Sequence, residues 1–514
     1  MQRKMLIVAQ AIGFCLLVPP GAGAKTAADG PDQPPLSVID WLEARPDLTN
    51  PAAAQEPPIT NTAAVPDVAV QPLDGQALRV VGLVPARVTG LPDTLWRGSQ
   101  TETLVELLAD LPDLTLPAAQ SLLYTLLLTE ALPPLHKTGE EDDLVLARVS
   151  KLQQRGALDP ALALIEQADV RRSSRHFDLW MQISLLKGTE DRACDILQQE
   201  PHLTSDYSLR SFCAVRSRAW EDAALTFASA QALDLLTPTK RALLDRFLHP
   251  EAAEAGPPLS IPPDMDPLSF RLFESIGEPL STVPLPLPYA VADLRRLAGW
   301  KAQLEAAERL TRAGALPGNH LLGLYSERKA AASGGVWDRV AAWQRFETAL
   351  KTGSDAAVSK TLPEVWQRMQ SAQLEVPFAD LFAARLGEFN FQGAPAAIVE
   401  DIALLSASYE TAAQPVEPSL KQDIAMGSMS PERPVNLMAA ALYDGFSSAA
   451  PRPDLVALAR ETRLGEAILR TLSLLHQGAG GNTQALTEAI ATLRALGLED
   501  TARRAALQIL ILER

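Results

Sequence analysis

The stretch Arg192–Ala230 constrains this chain more than any other part of it. It reads RACDILQQEPHLTSDYSLRSFCAVRSRAWEDAALTFASA, two helical runs joined at Glu200–Asp206. Cys194 lies on the first run and Cys213 on the second. Pro201 interrupts the helix because it lacks an N–H and clashes with the preceding turn. Ser205 or Asp206 is a ready N-cap for the next run. The loop therefore centres near residue 203, with the two cysteines almost symmetric about it. At helical rise each thiol sits roughly 9–10 Å up its own helix. Packed helix axes lie about 8–10 Å apart, so facing cysteines can reach the Cα separation of roughly 5.5 Å that a disulfide needs. A redox or metal pair is the functional alternative, but no CxxC motif and no nearby histidine cluster accompanies these thiols. A disulfide-clamped helical hairpin is expected, provided the compartment is oxidising.

The N-terminus argues that it is. Residues 1–24 open with Arg3 and Lys4, continue through the apolar run Met5–Val18 and end in Ala22-Gly23-Ala24. That is the layout of a cleaved secretory signal, and the apolar run is short for a membrane span. Cys15 follows Phe14, where a lipobox requires a small residue, so Cys15 is expected to leave with the signal. Cys194 and Cys213 then remain as an even pair in an exported, periplasmic protein. No other stretch reaches 18 uninterrupted apolar residues, so no integral membrane segment is expected after cleavage. The net charge of −16 falls further when Arg3 and Lys4 depart, which disfavours nucleic acid and anionic lipid as partners.

Low aromatic content with abundant Ala and Leu predicts an all-α fold. Residues 25–76, rich in Pro, Ala, Asp and Thr, are expected to form a disordered tether. One short helix is possible there at Leu36–Ala44, with Trp41 anchoring either a partner or the body of the protein. Residues 79–96 are broken by Gly82, Pro85, Gly90 and Pro92 and read as short extended pieces. Two helical regions follow, 77–255 and 289–514. Between them lies a Pro-rich segment, 256–288, that either packs on the helices or links two halves. Within it Pro284-Leu-Pro286-Leu-Pro288 reads as polyproline II. Later, 289–300 reads as one helix and 411–434 as a loop.

A small–large–small pattern recurs through the helical regions: Ala161/Ile165/Ala168, Ala223/Phe227/Ala230, Ala306/Leu310/Ala313 and Ala342/Phe346/Ala349. Each triad occupies one helix face, and small residues there admit a neighbouring helix closely. Trp220 precedes Ala223 by three, and Tyr207 lies thirteen residues before Trp220 on the preceding helix. The set Tyr207…Trp220-Glu-Asp-Ala223…Phe227…Ala230 resembles the tetratricopeptide signature, with Arg210-Ser211 standing where that family has Leu-Gly. The chain also resembles the non-catalytic helical superhelix beside some periplasmic lytic transglycosylases. The resemblance implies an α-solenoid of stacked helical hairpins, in which Tyr207, Trp220, Ala223, Phe227 and Ala230 pack the repeat.

Chemistry is harder to find. Ser184-Leu-Leu-Lys187 matches SxxK and Lys351-Thr352-Gly353 matches KTG, in the order used by penicillin-binding enzymes. The intervening S-x-N or Y-x-N is absent, and Gly353 reads as a helix stop. Ser184 is therefore expected to be inert. The histidines at 136, 176, 202, 249, 320 and 476 have no metal-ligand spacing. Gly334-Gly335 ahead of a helix is either an anion site or a plain turn. No catalytic residue, cofactor or metal is expected. The expected role is a non-catalytic periplasmic scaffold for another envelope protein, as in a flagellar motor or a secretion or wall-synthesis complex. The alternative is a peptidoglycan- or glycan-binding superhelix, which would place aromatics on its concave face.

Overall fold

Proline and capping residues punctuate this chain so often that its helices are short and numerous. The computed structural model describes residues 80–137, 139–253, 259–413 and 419–512; the expected signal, tether and Trp41 lie outside them. Among the described residues the regular structure is helical, with three isolated bridges in place of any sheet. They belong to one compact unit, Gln76–Arg514. No helix among them is long and apolar enough to cross a membrane.

Residues 80–96 carry bridges at Val81 and Val84 and, contrary to the extended reading, a single helical turn at Ala86–Thr89. Thr101–Asp110 (α1) and Pro117–Leu128 (α2) follow, with Pro117 in the first turn, where its missing N–H costs nothing. Asp143–Gln154 (α3), Leu158–Gln167 (α4) and Ser174–Lys187 (α5) then pack consecutively. Asp191–Gln199 (α6) and Tyr207–Arg216 (α7) form the hairpin read from the cysteines. Cys194 and Cys213 are bonded, with Cα atoms 4.8 Å apart. Asp206 caps α7, accepting from the amides of Ser208 and Leu209 at 2.8 and 3.3 Å.

Trp220–Ala232 (α8) lies against α7. Ala223, Phe227 and Ala230 are buried, Tyr207 half-buried. The Ser211 hydroxyl, fully buried, donates to the Ala223 carbonyl at 3.1 Å, so the position that departs from the tetratricopeptide pattern ties the two helices together. Trp220 corrects the sequence reading. It is 51 % exposed, so it does not pack the repeat, and Leu225 on the same helix is likewise exposed.

After Pro238–Leu248 (α9) the chain turns back. Pro267–Ser275 (α10) packs on α5 and α9 and buries Leu268, Phe270, Leu272 and Phe273. The α10 part of the Pro-rich segment is thus laid on the first set of helices, whereas its end, at Thr282, Leu285 and Leu287, meets Arg309 and Leu310 farther along the chain. Polyproline II does not run through it. Residues 283–284 form a turn, and Leu287–Tyr289 form a 3-10 turn. The Arg309 guanidinium explains this, since it donates to the Thr282 and Leu285 carbonyls at 2.9 Å each and satisfies the bend. The single helix read over 289–300 is likewise only Ala290–Asp293, followed by turns.

Trp300–Arg312 (α11), Gly318–Glu327 (α12), Val336–Thr352 (α13), Asp355–Ala372 (α14), Glu375–Leu386 (α15) and Ala394–Leu405 (α16) build a second set. Tyr325, Phe378 and Phe382 meet the Trp343 ring edge-on, at 5.1–5.7 Å between centroids. The stretch read as a loop contains a helix, Leu420–Met426, capped by Ser419. Leu437–Ser447 (α17), Pro453–Arg460 (α18), Leu464–Ala479 (α19), Thr483–Ala495 (α20) and Glu499–Leu512 (α21) complete the chain.

An open stack would leave its first and last helices apart, whereas here they meet. α21 packs on α2, and α19 packs on both α1 and α2. The Gly465 amide donates to the Leu95 carbonyl and the Gly98 amide to Thr462, each at 2.9 Å. Buried Ser99 donates to buried Glu466 at 3.0 Å, and the Ala118 amide donates to Gln508 at 2.9 Å. Gly465 is required at this contact, because a Cβ there would lie 2.3 Å from the Trp96 ring.

Candidate functional site: a cleft at the meeting of distant helices

The residues that sequence motifs singled out for chemistry are not brought together. Ser184 is buried on α5, and its hydroxyl donates to the Trp180 carbonyl at 2.8 Å, the usual back-bond of a helical serine. Lys187 pairs with Asp159 rather than with Ser184. Lys351 sits in the last turn of α13 and pairs with Glu347 at 2.9 Å, and Gly353 is the left-handed helix stop. At Gly334-Gly335 the amide of Gly334 donates to Asp338 at 2.9 Å. The helix thus supplies its own anion, and the plain-turn reading holds. No group of His, Cys, Asp or Glu among the described residues could hold a metal ion.

What the meeting of the first and last described helices does create is a cleft of ≈ 890 Å³. One wall is a face of α2: Pro117, Ser121, Tyr124, Thr125 and Leu128, with Val84 and Val88 above. Thr311 and Arg312 at the end of α11, then Leu316–Asn319 at the start of α12, form the next side. Val376, Pro377, Asp380 and Leu381 of α15 and Asp500, Thr501 and Arg504 of α21 complete it. Five parts of the chain, near residues 86, 120, 315, 378 and 504, thus contribute to one surface.

Its polar groups are held in definite directions. The Tyr124 hydroxyl donates to the Ala313 carbonyl at 3.0 Å. Burial raises its pKa and the nearby Arg155 opposes the rise, so the phenol stays protonated and remains a donor. Gly314, at φ 73°, brings the chain against that ring, where a Cβ would stand 3.1 Å from it. Arg312 donates through Nε to the Ala372 carbonyl at 2.9 Å. Arg504 lies over the Tyr409 ring, pairs with Asp500 at 3.0 Å and reaches the Ala407 carbonyl. Asp380 accepts from the Ala407 amide at 3.0 Å. Its carboxyl stands above the usual carboxylate range because the cleft walls desolvate it, against the pull of Arg504 and of that amide. Thr311 is 4 % exposed, and its hydroxyl oxygen is buried without a hydrogen-bond partner.

None of these cleft residues was nominated from the sequence. The one available signal was negative: Leu316-Pro317-Gly318-Asn319 opens a helix with no capping side chain ahead of it. The nominated set behaves differently. Cys194 and Cys213 meet, and Ala223, Phe227 and Ala230 are buried with Tyr207 beside them, but these residues organise the α6–α8 hairpins and lie outside the cleft. No family model, no curated protein and no solved structure matches the chain.

Proposed function

We propose that this chain is an exported, non-catalytic scaffold of the bacterial envelope, built from tetratricopeptide-like helical hairpins, which holds a partner protein by an extended segment laid in the cleft. The observation that carries the reading is the cleft's composition. Apolar side chains (Val84, Val88, Leu128, Leu316, Leu381) and oriented polar groups together line a cleft of ≈ 890 Å³. Such walls suit a peptide, which presents apolar side chains and a hydrogen-bonding backbone together. A glycan ligand is less well served. Sugars stack on exposed aromatic faces, and the aromatic side chain lining this cleft, Tyr124, is half-buried with its hydroxyl already engaged at Ala313.

The test is site-specific photocrosslinking in the producing cell. A photoreactive amino acid replaces Ser121 in the cleft or, as control, Lys360, exposed on α14 away from it. A discrete protein adduct formed from position 121 but not from 360 is expected. Equal labelling from both positions, or no adduct from 121, would sink the reading.

A further inference from the structure

The α11–α12 end of the cleft has a chemistry of its own. α12 begins at Gly318 behind Pro317, and no side chain caps it. The first turn of any helix leaves amide N–H groups without intrahelical acceptors and carries partial positive charge. At some helix starts, such as those of α5, α7, α14 and α17, a Ser, Asp or Asn side chain accepts from those amides, while others, such as α1 and α13, are uncapped like α12. In α12, Gly318 and Asn319 line the cleft. A helix start alone proves little, but an independent feature lies beside it. Thr311 lines the same end, is more than nine-tenths buried, and has a hydroxyl with no partner. A buried hydroxyl without a partner carries a desolvation cost, and an arriving acceptor would remove it. Arg312, next in sequence, adds positive charge to the same wall.

We infer that this end binds a carboxylate, and specifically the C-terminal carboxylate of the extended segment proposed above, on which reading the inference rests. The uncapped amides of α12 and the Thr311 hydroxyl donate to its oxygens, and Arg312 balances its charge. A single negative charge fits better than a phosphate dianion, because Asp380 and Asp500 lie farther along the same cleft and would repel the greater charge. The residues preceding the terminus then run past Leu316 and Leu381 towards Leu128.

The experiment uses the full oxidised chain and fluorescein-labelled hexapeptide libraries with free C-terminal carboxylates, read by anisotropy. The best binder is remade as its C-terminal amide. Loss of one charge-assisted site should weaken binding by about tenfold. Thr311→Val and Arg312→Gln should each weaken the acid several-fold and leave the amide unchanged, whereas Thr311→Ser should restore acid binding. Far-UV circular dichroism and Tm report folding of each variant. Acid and amide binding alike, with Ser121→Trp abolishing both, would overturn the carboxylate while leaving the peptide cleft standing. Displacement of the peptide by millimolar acetate or glutamate as effectively as by unlabelled peptide would overturn the peptide source and assign the site to small acids. Failure of every library member to bind overturns the inference, and the crosslinking result then decides separately whether the cleft holds a protein at all.

Discussion

The α6–α7 hairpin and the junction of α1–α2 with α19–α21 bury side chains equally well, yet they are held by different physics. In the hairpin, partners lie close in sequence: Cys194 and Cys213 are 19 residues apart, and Ser211 bonds Ala223 twelve residues on. Little loop entropy opposes those contacts, and a covalent bond reinforces them. At the junction, Ser99 meets Glu466 across 367 residues and Ala118 meets Gln508 across 390. No covalent bond helps there. The junction depends on a glycine-to-tryptophan fit and on one buried carboxylate held by Arg463, Arg470 and Ser99. The hairpin will tolerate loss of packing that the junction will not, and the cleft exists only while the junction is closed.

The largest effect should come from Gly465→Ala. Its Cβ would overlap the Trp96 ring, and overpacking a core contact costs about 1–3 kcal/mol, with the upper end expected where backbone and a buried ring leave little room to yield. Hydrogen exchange should rise together in α1, α2 and α19 while the α6–α7 hairpin stays protected. Uniform loosening of the whole chain would erase the distinction between the two regions. Replacing both Cys194 and Cys213 by alanine comes next. A loop of this length contributes about 3 kcal/mol at most in the chain-entropy model, and urea titration should record a lower midpoint. Faster exchange is expected in α6 and α7 with unchanged protection in α19; the reverse pattern would contradict the assignment.

The smallest effect concerns pH. Burial pushes the Glu466 carboxyl up, but hydrogen bonds from Arg470, Arg463 and Ser99 outweigh it and hold the pKa below the ordinary glutamate value. A depressed folded-state value means that the carboxylate's contribution is complete above the unfolded pKa, about 4.3. It is lost as pH falls through the lower folded value. Protection in α19, corrected for the intrinsic exchange rate, should therefore fall below about pH 4. Glu466→Gln should make the junction weaker at neutral pH and flatten that acid response. An acid response of the same size in the glutamine variant would assign it to another group.

A second fixed charge supports the same region. Arg148 is fully buried and donates to the carbonyls of Leu127, Thr129 and Val81 at 2.7–2.9 Å. Burial without a carboxylate pulls its pKa down to about 10, so it remains a cation at neutral pH. It caps the C-terminal end of α2, where partial negative charge gathers, and ties that helix to the start of the described chain. In the sequence Arg148 is one of many arginines on an amphipathic run, and nothing local distinguishes it.

Much of the helical reading was legible because its causes are local. Pro117, Asp206 and Gly353 start or stop helices where their own backbone chemistry dictates. All four Ala–large–Ala triads are buried, since a face of two small residues around one large one fits against a neighbour wherever that neighbour comes from. The misreadings share the opposite cause. Trp220 is a packing residue only if something covers it. The run 284–288 is polyproline only if no distant arginine satisfies a turn there, and Arg309 does. The helix at Leu420–Met426 lacks a strong signal of its own and rests on α21.

The sequence by itself determined the helical character of the described chain, helix ends such as those at Asp206 and Gly353, and the pairing of Cys194 with Cys213, because helix periodicity, capping and short-loop geometry act over tens of residues. The tertiary structure alone decided that the first helices meet the last, and therefore that a cleft lies between them. Contacts such as Trp96 with Gly465 leave no periodic trace in either segment, and their stability comes from shape complementarity that forms only when the intervening helices are already packed.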